Sequence, residues 1–145
     1  FYDEVLEEYF MIANQHVHVI DEFNEFMEEE IYQMMVATTE DQDELILENT
    51  TTLKVARWWN RACDIIPCNG GKDVAIQKVL DYFNFNKDEA MAFGDGGNDI
   101  SMLKYVGTGV AMGNAKDNVK AIADYITDSV QDDGIVSALK HFNII

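Results

Sequence analysis

The sequence predicts an α/β protein with a parallel sheet in its second half, and three observations carry this prediction. From residue 72 onwards, amphipathic helical segments alternate with short apolar segments, an order typical of parallel strands joined by right-handed crossovers. A glycine-rich turn with two aspartates, GDGGND at residues 94–99, directly follows one apolar segment. Open α/β sheets build ligand sites at such strand ends. Finally, 145 residues of which 48% are apolar suffice for a packed core.

Charge and composition exclude several classes of partner. Twenty-seven acidic residues against ten basic ones give a net charge of −17, which repels nucleic acid and anionic membrane surfaces. No apolar stretch approaches the ~18–20 residues that span a bilayer, and the acidic start lacks the basic region of a signal peptide. Cys63 and Cys68 fit neither a C-x-x-C redox pair nor a zinc knuckle. We therefore expect a cytoplasmic protein with free thiols, no nucleic-acid partner and no membrane partner.

The first half, residues 1–68, mixes helical and strand-like segments. Apolar residues at helical spacing predict helices, and alternating ones predict strands. The predicted helices cover residues 3–14, 22–30 and 40–47, and the predicted strands cover residues 16–20, 31–36, 53–59 and 62–66. Thr38 or Thr39 is expected to cap the third helix. This half is predicted to be a small mixed α/β unit.

The pattern changes at residues 67–71, where the only proline of the sequence is followed three residues later by two glycines, and we expect a domain boundary there. Residues 69–145 then form the second unit. Its predicted helices cover residues 72–84, 100–105, 116–123 and 133–142, and its predicted strands cover residues 91–93, 109–112 and 125–127. In the first of these helices, Val79, Leu80 and Phe83 are expected on the side that faces the core.

The glycine-rich turn carries the chemistry. Asp95 follows a strand with glycines on both sides, so its oxygens are open to a ligand. Asp99 lies one helical turn further on and is expected at the same mouth. Two carboxylates and the Asn98 amide suit a magnesium ion that keeps several waters and touches a phosphate. The alternative is that Asn98 or Asp99 merely caps the following helix.

Lys72 begins the first helix of the second unit, directly after two glycines. A helix start favours a phosphate group, and a lysine there adds a full positive charge. A lysine at a helix start is more often a plain surface residue. Its significance comes from the order in which it is followed by a strand and then by Asp95.

Four segments in this order resemble the Cof-type phosphatases of the haloacid dehalogenase (HAD) superfamily. They are GGKDVAI at residues 70–76, AFGDGGNDISML at 92–103, VAMGNA at 110–115 and DGI at 133–135. The resemblance covers residues 69–145 densely and residues 1–68 only by their α/β texture. It implies a HAD-like (Rossmannoid) core that is incomplete in this chain, with residues 1–68 as the C-terminal part of a type-2 α/β cap domain.

The resemblance also implies an activity, a magnesium-dependent phosphomonoester hydrolase that forms an aspartyl-phosphate. Position by position, Lys72 matches the residue that neutralises the phosphoryl group and Asp95 matches a metal ligand. Asp99 matches the second acid, which usually orders a metal-bound water, and Asn98 matches a residue near the phosphate. The implied substrate is a sugar phosphate or another small phosphorylated metabolite.

The family's nucleophile motif, a DxD after a buried strand, has no counterpart here. Asp41 and Asp43 lie at the start of an acidic helix and are expected to be solvated, and the threonines at 50–52 suit a loop better than the family's second motif. We therefore expect the C-terminal portion of a phosphatase, inactive alone. The missing strand would leave a sheet edge through which the chain could self-associate. The alternative is a non-catalytic module that binds phosphate or Mg²⁺.

Aromatic and histidine pairs in the first half are weaker candidates. Trp58 could line a ligand if the cap closes over the site, although Trp58 and Trp59 are more often one core residue and one partly exposed residue. His16 and His18 would share one face of a strand and could bind a metal, but no third ligand is evident.

Overall fold

The computed structural model describes residues 4–12, 14, 16 and 30–145. The chain divides into two compact units, Phe1–Cys68 and Asn69–Ile145. The predicted acidic helix and most of the predicted strand that holds His18 fall on residues 17–29, outside the described ranges. In the part of the chain that is described, no helix combines the length and the apolar character needed to cross a membrane.

An antiparallel sheet organises the described part of the first unit. Its strands are β1 (Met34–Ala37), β2 (Leu53–Trp59) and β3 (Ala62–Pro67). They are ordered β1-β3-β2, with β2 and β3 joined by a two-residue turn at Asn60 and Arg61. Helix α1 (Glu4–Ile12) is confirmed, whereas the segment predicted as one helix over 40–47 is a 3₁₀ turn, Glu40–Gln42, followed by helix α2 (Asp43–Leu47).

Arg57 on β2 bonds to several other segments of this unit. Its guanidinium pairs with the Asp43 carboxylate and donates to the carbonyl oxygens of Thr38 at 2.8 Å, Trp59 at 3.3 Å and Ala62 at 3.5 Å. The expectation of a solvated helix start is therefore correct for Asp41, which is exposed, and wrong for Asp43, which is half-buried against Arg57.

The tryptophan pair departs from the sequence-based expectation. Trp58 and Trp59 are both half-buried, rather than one core and one partly exposed. The pairing of β2 with β3 shifts between Arg57 and Trp59, and such a bulge breaks the alternation of side chains. The two rings stack with centroids 6.2 Å apart, and the Arg61 guanidinium lies 5.2 Å from the Trp59 ring centroid.

The second unit contains the predicted parallel sheet. Its strands β4 (Met91–Gly94), β5 (Thr108–Ala111) and β6 (Tyr125–Ile126) lie in the order β4-β5-β6, and both neighbouring pairs are parallel. The helices are α3 (Lys72–Phe83), α4 (Ile100–Tyr105), α5 (Asp117–Lys120) and α6 (Gly134–His141). The predicted α/β class is confirmed.

Helix α5 is half as long as the sequence predicts. The chain leaves the helix and Asp124 bonds to Gly109 on β5. The Asp124 backbone N–H donates to the Gly109 carbonyl at 2.8 Å, and the Asp124 carboxylate accepts from the Gly109 N–H at 2.7 Å. This pair of bonds replaces further helical turns and brings β6 alongside β5.

Leu103, Val110 and Val119 are almost fully buried in the core of the second unit. Helices α4 and α5 pack on the sheet through apolar side chains that include Leu103, Ala92, Ala111 and Val119. Helix α3 covers this core only in part: Leu80 is buried as predicted, but Val79 is 55% and Phe83 59% exposed. The sheet therefore has a firmly packed face that supports the ends of β4 and β5.

Candidate active site

The turn after β4 is held closely against the helix that follows it. A Cβ at Gly94 would lie 2.6 Å from Asp99 Cβ, a distance that only glycine avoids. A 3₁₀ turn, Gly97–Asp99, then leads directly into α4. The absence of a side chain at Gly94 thus lets Asp99 return to the end of the strand it follows.

Asp99 is the most enclosed charged group of the site, with 7% of its side chain exposed. Oδ2 accepts the backbone N–H groups of Asp95 and Gly96, both at 3.0 Å, and Oδ1 accepts from the Lys72 ammonium. Burial opposes ionisation of the carboxyl, but these donors outweigh it and lower the pKa of Asp99 below its usual value. Asp99 makes no side-chain cap to α4 itself, but the bond from the Gly96 N–H to its Oδ2 caps the 3₁₀ turn that leads into α4.

Lys72 reaches Asp99 from the first position of α3. The residue before it, Gly71, has a φ of 125°, a conformation that L side chains rarely adopt. Half of the Lys72 side chain is exposed. Since an ammonium has three N–H donors, one bond to Asp99 leaves Lys72 with donors for a ligand.

An open pocket of about 480 Å³ lies at the carboxyl ends of these strands. Its lining combines the charged residues with apolar side chains from β4, α4, the residue that follows β5, the 3₁₀ turn before α6 and α6 itself. The lining residues are Lys72, Phe93, Gly94, Asp95, Asp99, Met102, Met112, Val130 and Ile135. The structure therefore brings Lys72, Asp95 and Asp99 to one cavity, as their order in the sequence predicts.

Asp95 differs from Asp99 in being exposed. Its Oδ2 accepts a hydrogen bond of 2.8 Å from Asn114 Nδ2, and in the described part of the chain no donor bonds Oδ1. Asn114 follows β5, and the carboxyl ends of adjacent parallel strands meet at one edge of a sheet. That rule could have found Asn114, to which the sequence analysis gave no role.

Asn98 does not line this pocket, within the part of the chain that the structure describes. A Cβ at Gly96 would lie 2.6 Å from Asn98 Oδ1, so the amide lies over the backbone of the turn. Likewise, the described residues contain no group of three or more His, Cys, Asp or Glu side chains that could hold a metal. His16, a candidate ligand, instead donates from Nδ1 to Glu7 Oε1 at 2.7 Å.

A family model described as haloacid dehalogenase-like hydrolase matches residues 4–139. Among curated proteins, the putative phosphatase YkrA of Bacillus subtilis is 39% identical over 116 residues, which are 80% of this chain and 45% of YkrA. The 5-amino-6-(5-phospho-D-ribitylamino)uracil phosphatase YcsE of the same organism is 49% identical over 71 residues, 49% of this chain and 28% of YcsE.

Among solved structures, the HAD subclass IIB sugar phosphatase BT4131 superposes with a TM-score of 0.89 and 36% identity, over 99% of this chain and 56% of that one. The chain thus spans about half the length of YkrA and of BT4131. The match of the family model, the likeness in structure and the four sequence segments agree. The chain belongs to the haloacid dehalogenase-like hydrolase family, in which the sequence placed it through its Cof-type segments.

Proposed function

We propose that the protein from which this chain comes is a magnesium-dependent hydrolase of small phosphomonoesters that works through an aspartyl-phosphate. One observation carries the proposal. A half-exposed lysine and an exposed aspartate lie at one open pocket beside a buried aspartate that anchors the lysine. Phosphoryl transfer is accelerated mainly by positioning and by cations placed against the phosphoryl oxygens.

Lys72 supplies the fixed positive charge. Its bond to Asp99 holds the ammonium at the pocket, and its remaining N–H donors are available to a phosphoryl oxygen. Because the pKa of Asp99 is lowered, this carboxylate remains ionised at neutral pH and continues to hold Lys72. Asp99 thereby orients both the lysine and the turn that carries Asp95.

Asp95 would hold Mg²⁺. An exposed carboxylate oxygen at an open pocket fits this ion, which commonly uses one or two carboxylates together with waters and substrate phosphate. When bound, the ion would neutralise charge on the phosphoryl group. We assign Asn98 to the substrate phosphate through the family resemblance alone, since its amide lies over Gly96 and does not line the pocket.

The nucleophile is proposed to lie outside these 145 residues. The only D-x-D in the sequence is Asp41-Gln42-Asp43, at a helix start in the first unit. Asp43 there is paired with Arg57. A chain without the nucleophile has nothing that compensates for the very slow uncatalysed hydrolysis, so we expect it to be inactive by itself.

We propose that the second unit is the C-terminal half of the hydrolase core and the first unit the C-terminal part of its cap. YcsE and BT4131, similar to this chain, are named as phosphatases of a ribitylamino-uracil phosphate and of sugar phosphates. This supports a small phosphorylated metabolite as the substrate. The net charge of −17 argues against nucleic acid and anionic membranes as partners. The free thiols Cys63 and Cys68 support a cytoplasmic location as part of this proposal.

The test is a phosphatase assay on this chain and on the full-length gene product, side by side, with an aromatic phosphate and Mg²⁺. We expect turnover in the longer protein only, and its loss in Asp95→Asn and Lys72→Met of that protein. Asp81→Asn is the matched control, because Asp81 is an exposed carboxylate of α3 that bonds Gln77. Turnover by the 145-residue chain that survives Asp95→Asn would refute the proposal.

The second candidate is a module that binds phosphate or Mg²⁺ without hydrolysis. The observation that favours it is an intact pocket with Lys72 and Asp95 in a sequence without the family's nucleophile motif. Binding of Mg²⁺ by both proteins, with hydrolysis by neither, would decide for this candidate.

We also propose self-association through the edge of the parallel sheet. Within the described residues, β4 pairs with β5 on one side only, and an unpaired strand edge offers N–H and C=O groups to another chain. Light scattering on concentrated protein should give a mass above that of one chain, and a monomeric mass would contradict this proposal.

A further inference from the structure

We propose that Asn114 is a positioning residue that fixes the Asp95 carboxylate for its cation and ties it to the wall of the pocket. The inference rests on the proposed function, in which Asp95 holds a divalent ion. It adds a residue that lies on a different strand end and that would act on the ion only through Asp95.

Both ends of the Asn114 amide are used. Its Nδ2 donates to Asp95 Oδ2 at 2.8 Å, and its Oδ1 accepts from the backbone N–H of Val130 at 3.0 Å. A flipped amide would set Oδ1 against the carboxylate and NH₂ against an N–H donor. The two partners therefore define a single orientation of the side chain.

The backbone that carries Asn114 is closely packed. The Gly113 N–H donates to the Asp128 carbonyl at 2.9 Å, and a Cβ at Gly113 would lie 2.6 Å from Ser129 N. Thr127, which is buried, donates from its hydroxyl to the Gly134 carbonyl at 2.6 Å. The backbone next to Asn114 is thus packed against the segment that presents Val130 to the pocket.

The consequence for Asp95 is a restricted carboxylate. An exposed carboxylate normally rotates, and a ligand that must first be ordered binds its ion less tightly. The bond from Asn114 occupies Oδ2 and leaves Oδ1 for the cation. Groups that orient metal ligands in this way typically change metal affinity by about 10–100-fold when removed.

The bridge also links the cation to the apolar wall. Val130, 64% exposed, lines the same pocket as Ile135, and its backbone N–H is the donor that orients Asn114. A shift of this wall therefore changes the position of the Asp95 carboxylate, so that the segment after β6 and the cation ligand move together.

The experiment is a titration of this chain with Mn²⁺, followed by the paramagnetic broadening of backbone amide signals around Asp95 in NMR spectra. Wild type should show selective broadening there, and Asp95→Asn should abolish it. For Asn114→Ala we expect the same selective site with about a tenfold higher dissociation constant. Asn86→Ala is the matched control, because it removes another exposed bond from an Asn to a carboxylate, to Glu89 at 3.1 Å. Its Mn²⁺ affinity should equal that of wild type.

Val130→Pro tests the bridge without touching either side chain. It deletes the N–H that orients Asn114 and exchanges the Val130 side chain at the pocket wall for a proline ring. Val130 begins a 3₁₀ turn and Ser129 has φ −69° and ψ 164°, a setting that accepts proline. Because Asn114 loses its orienting donor, we expect Val130→Pro to weaken Mn²⁺ binding by about two- to threefold, less than the roughly tenfold loss expected for Asn114→Ala. If Asn114 had only a structural role, the Mn²⁺ affinity would not change.

The outcomes separate the inference from the proposed function. If wild type shows no selective broadening near Asp95, the cation assignment of Asp95 is wrong and the inference falls with it. If wild type and Asn114→Ala bind Mn²⁺ equally while Asp95→Asn does not bind, the inference alone is overturned. If Asn114→Ala weakens binding but Val130→Pro does not, the link to the pocket wall is refuted.

Discussion

Each unit contains a cation paired with an aspartate, and the two pairs are built differently. In the first unit, Arg57 and Asp43 have 17% and 25% of their side chains exposed, and the guanidinium also bonds three backbone carbonyls. In the second unit, Lys72 is 50% exposed while Asp99 is 7% exposed. In the first pair, Arg57 uses its N–H donors for bonds within the protein. In the second pair, the acid is buried while the cation stays accessible to a ligand.

The largest effect is expected from Asp99→Ala. The substitution leaves the backbone N–H groups of Asp95 and Gly96 without their acceptor and releases Lys72. Loss of a buried, hydrogen-bonded carboxylate costs about 2–4 kcal/mol. Urea denaturation followed by circular dichroism measures it. The free energy of unfolding of the control Asp81→Ala, at an exposed site, should stay within about 0.5 kcal/mol of wild type. Equal losses of stability in both variants would contradict a special role of the buried Asp99.

Arg57→Met should destabilise the first unit by about 1–3 kcal/mol, because it leaves Asp43 and several carbonyls without their shared donor. The same denaturation experiment checks this, and Mn²⁺ binding at Asp95 should not change. Arg61→Met is the matched control: Arg61 pairs with Glu8 at 2.8 Å with 45% of its side chain exposed, and an exposed pair contributes at most about 1 kcal/mol. A larger loss at Arg61 than at Arg57 would reverse our ranking.

A smaller effect is expected from pH. The folded-state pKa of Asp99 is lowered from its ordinary value of 3.8, so its contribution to stability is fully present above that ordinary value. It is lost as pH falls through the lowered, folded-state pKa. Comparing wild type with Asp99→Asn in urea between pH 7 and pH 2.5, without divalent ions, should show a stability difference that shrinks at acid pH. A difference that stays constant would show that Asp99 is not the group responsible.

The smallest effect on stability is expected from Lys72→Met, below about 1 kcal/mol, because the ammonium is half exposed and Asp99 retains two backbone donors. Affinity for inorganic phosphate, measured by calorimetry, should fall well below that of the control Lys78→Met. Destabilisation as large as that of Asp99→Ala would mean that Lys72 is a structural residue like Arg57.

The sequence predicted what depends on local pattern. The strand, turn and helix over residues 91–105 can be predicted from residues that are adjacent in the sequence, and the glycines within residues 94–97 predict the turn. The turn itself predicted that Asp95 and Asp99 share one mouth, and the family resemblance added Lys72 to the same site. The family resemblance, which needs only residue types at fixed positions, was sufficient for the fold class.

What the sequence did not predict depends on contacts between distant segments. Nothing near Asp43 in the sequence predicts its pairing with Arg57, which lies in another element. Asn114 is also distant from Asp95 in the sequence, and only the rule that adjacent parallel strands end at one edge of the sheet connects the two. The bulge at Trp58 follows from how β2 pairs with β3, which the alternation of one strand cannot show. The short helix α5 has the same kind of cause, because Asp124 bonds Gly109 on the neighbouring strand.

The bulge in β2 has an optical consequence. Trp58 and Trp59 are the only two tryptophans of the chain, and both lie in the first unit, stacked at 6.2 Å. Intrinsic tryptophan fluorescence therefore reports on one unit, whereas Lys72, Asp95, Asp99 and Asn114 all lie in the other. A fluorescence melt would follow the hairpin around Arg57 and would not report on the pocket that Lys72 and Asp95 line. The two tryptophans thus make the first unit observable separately from the second.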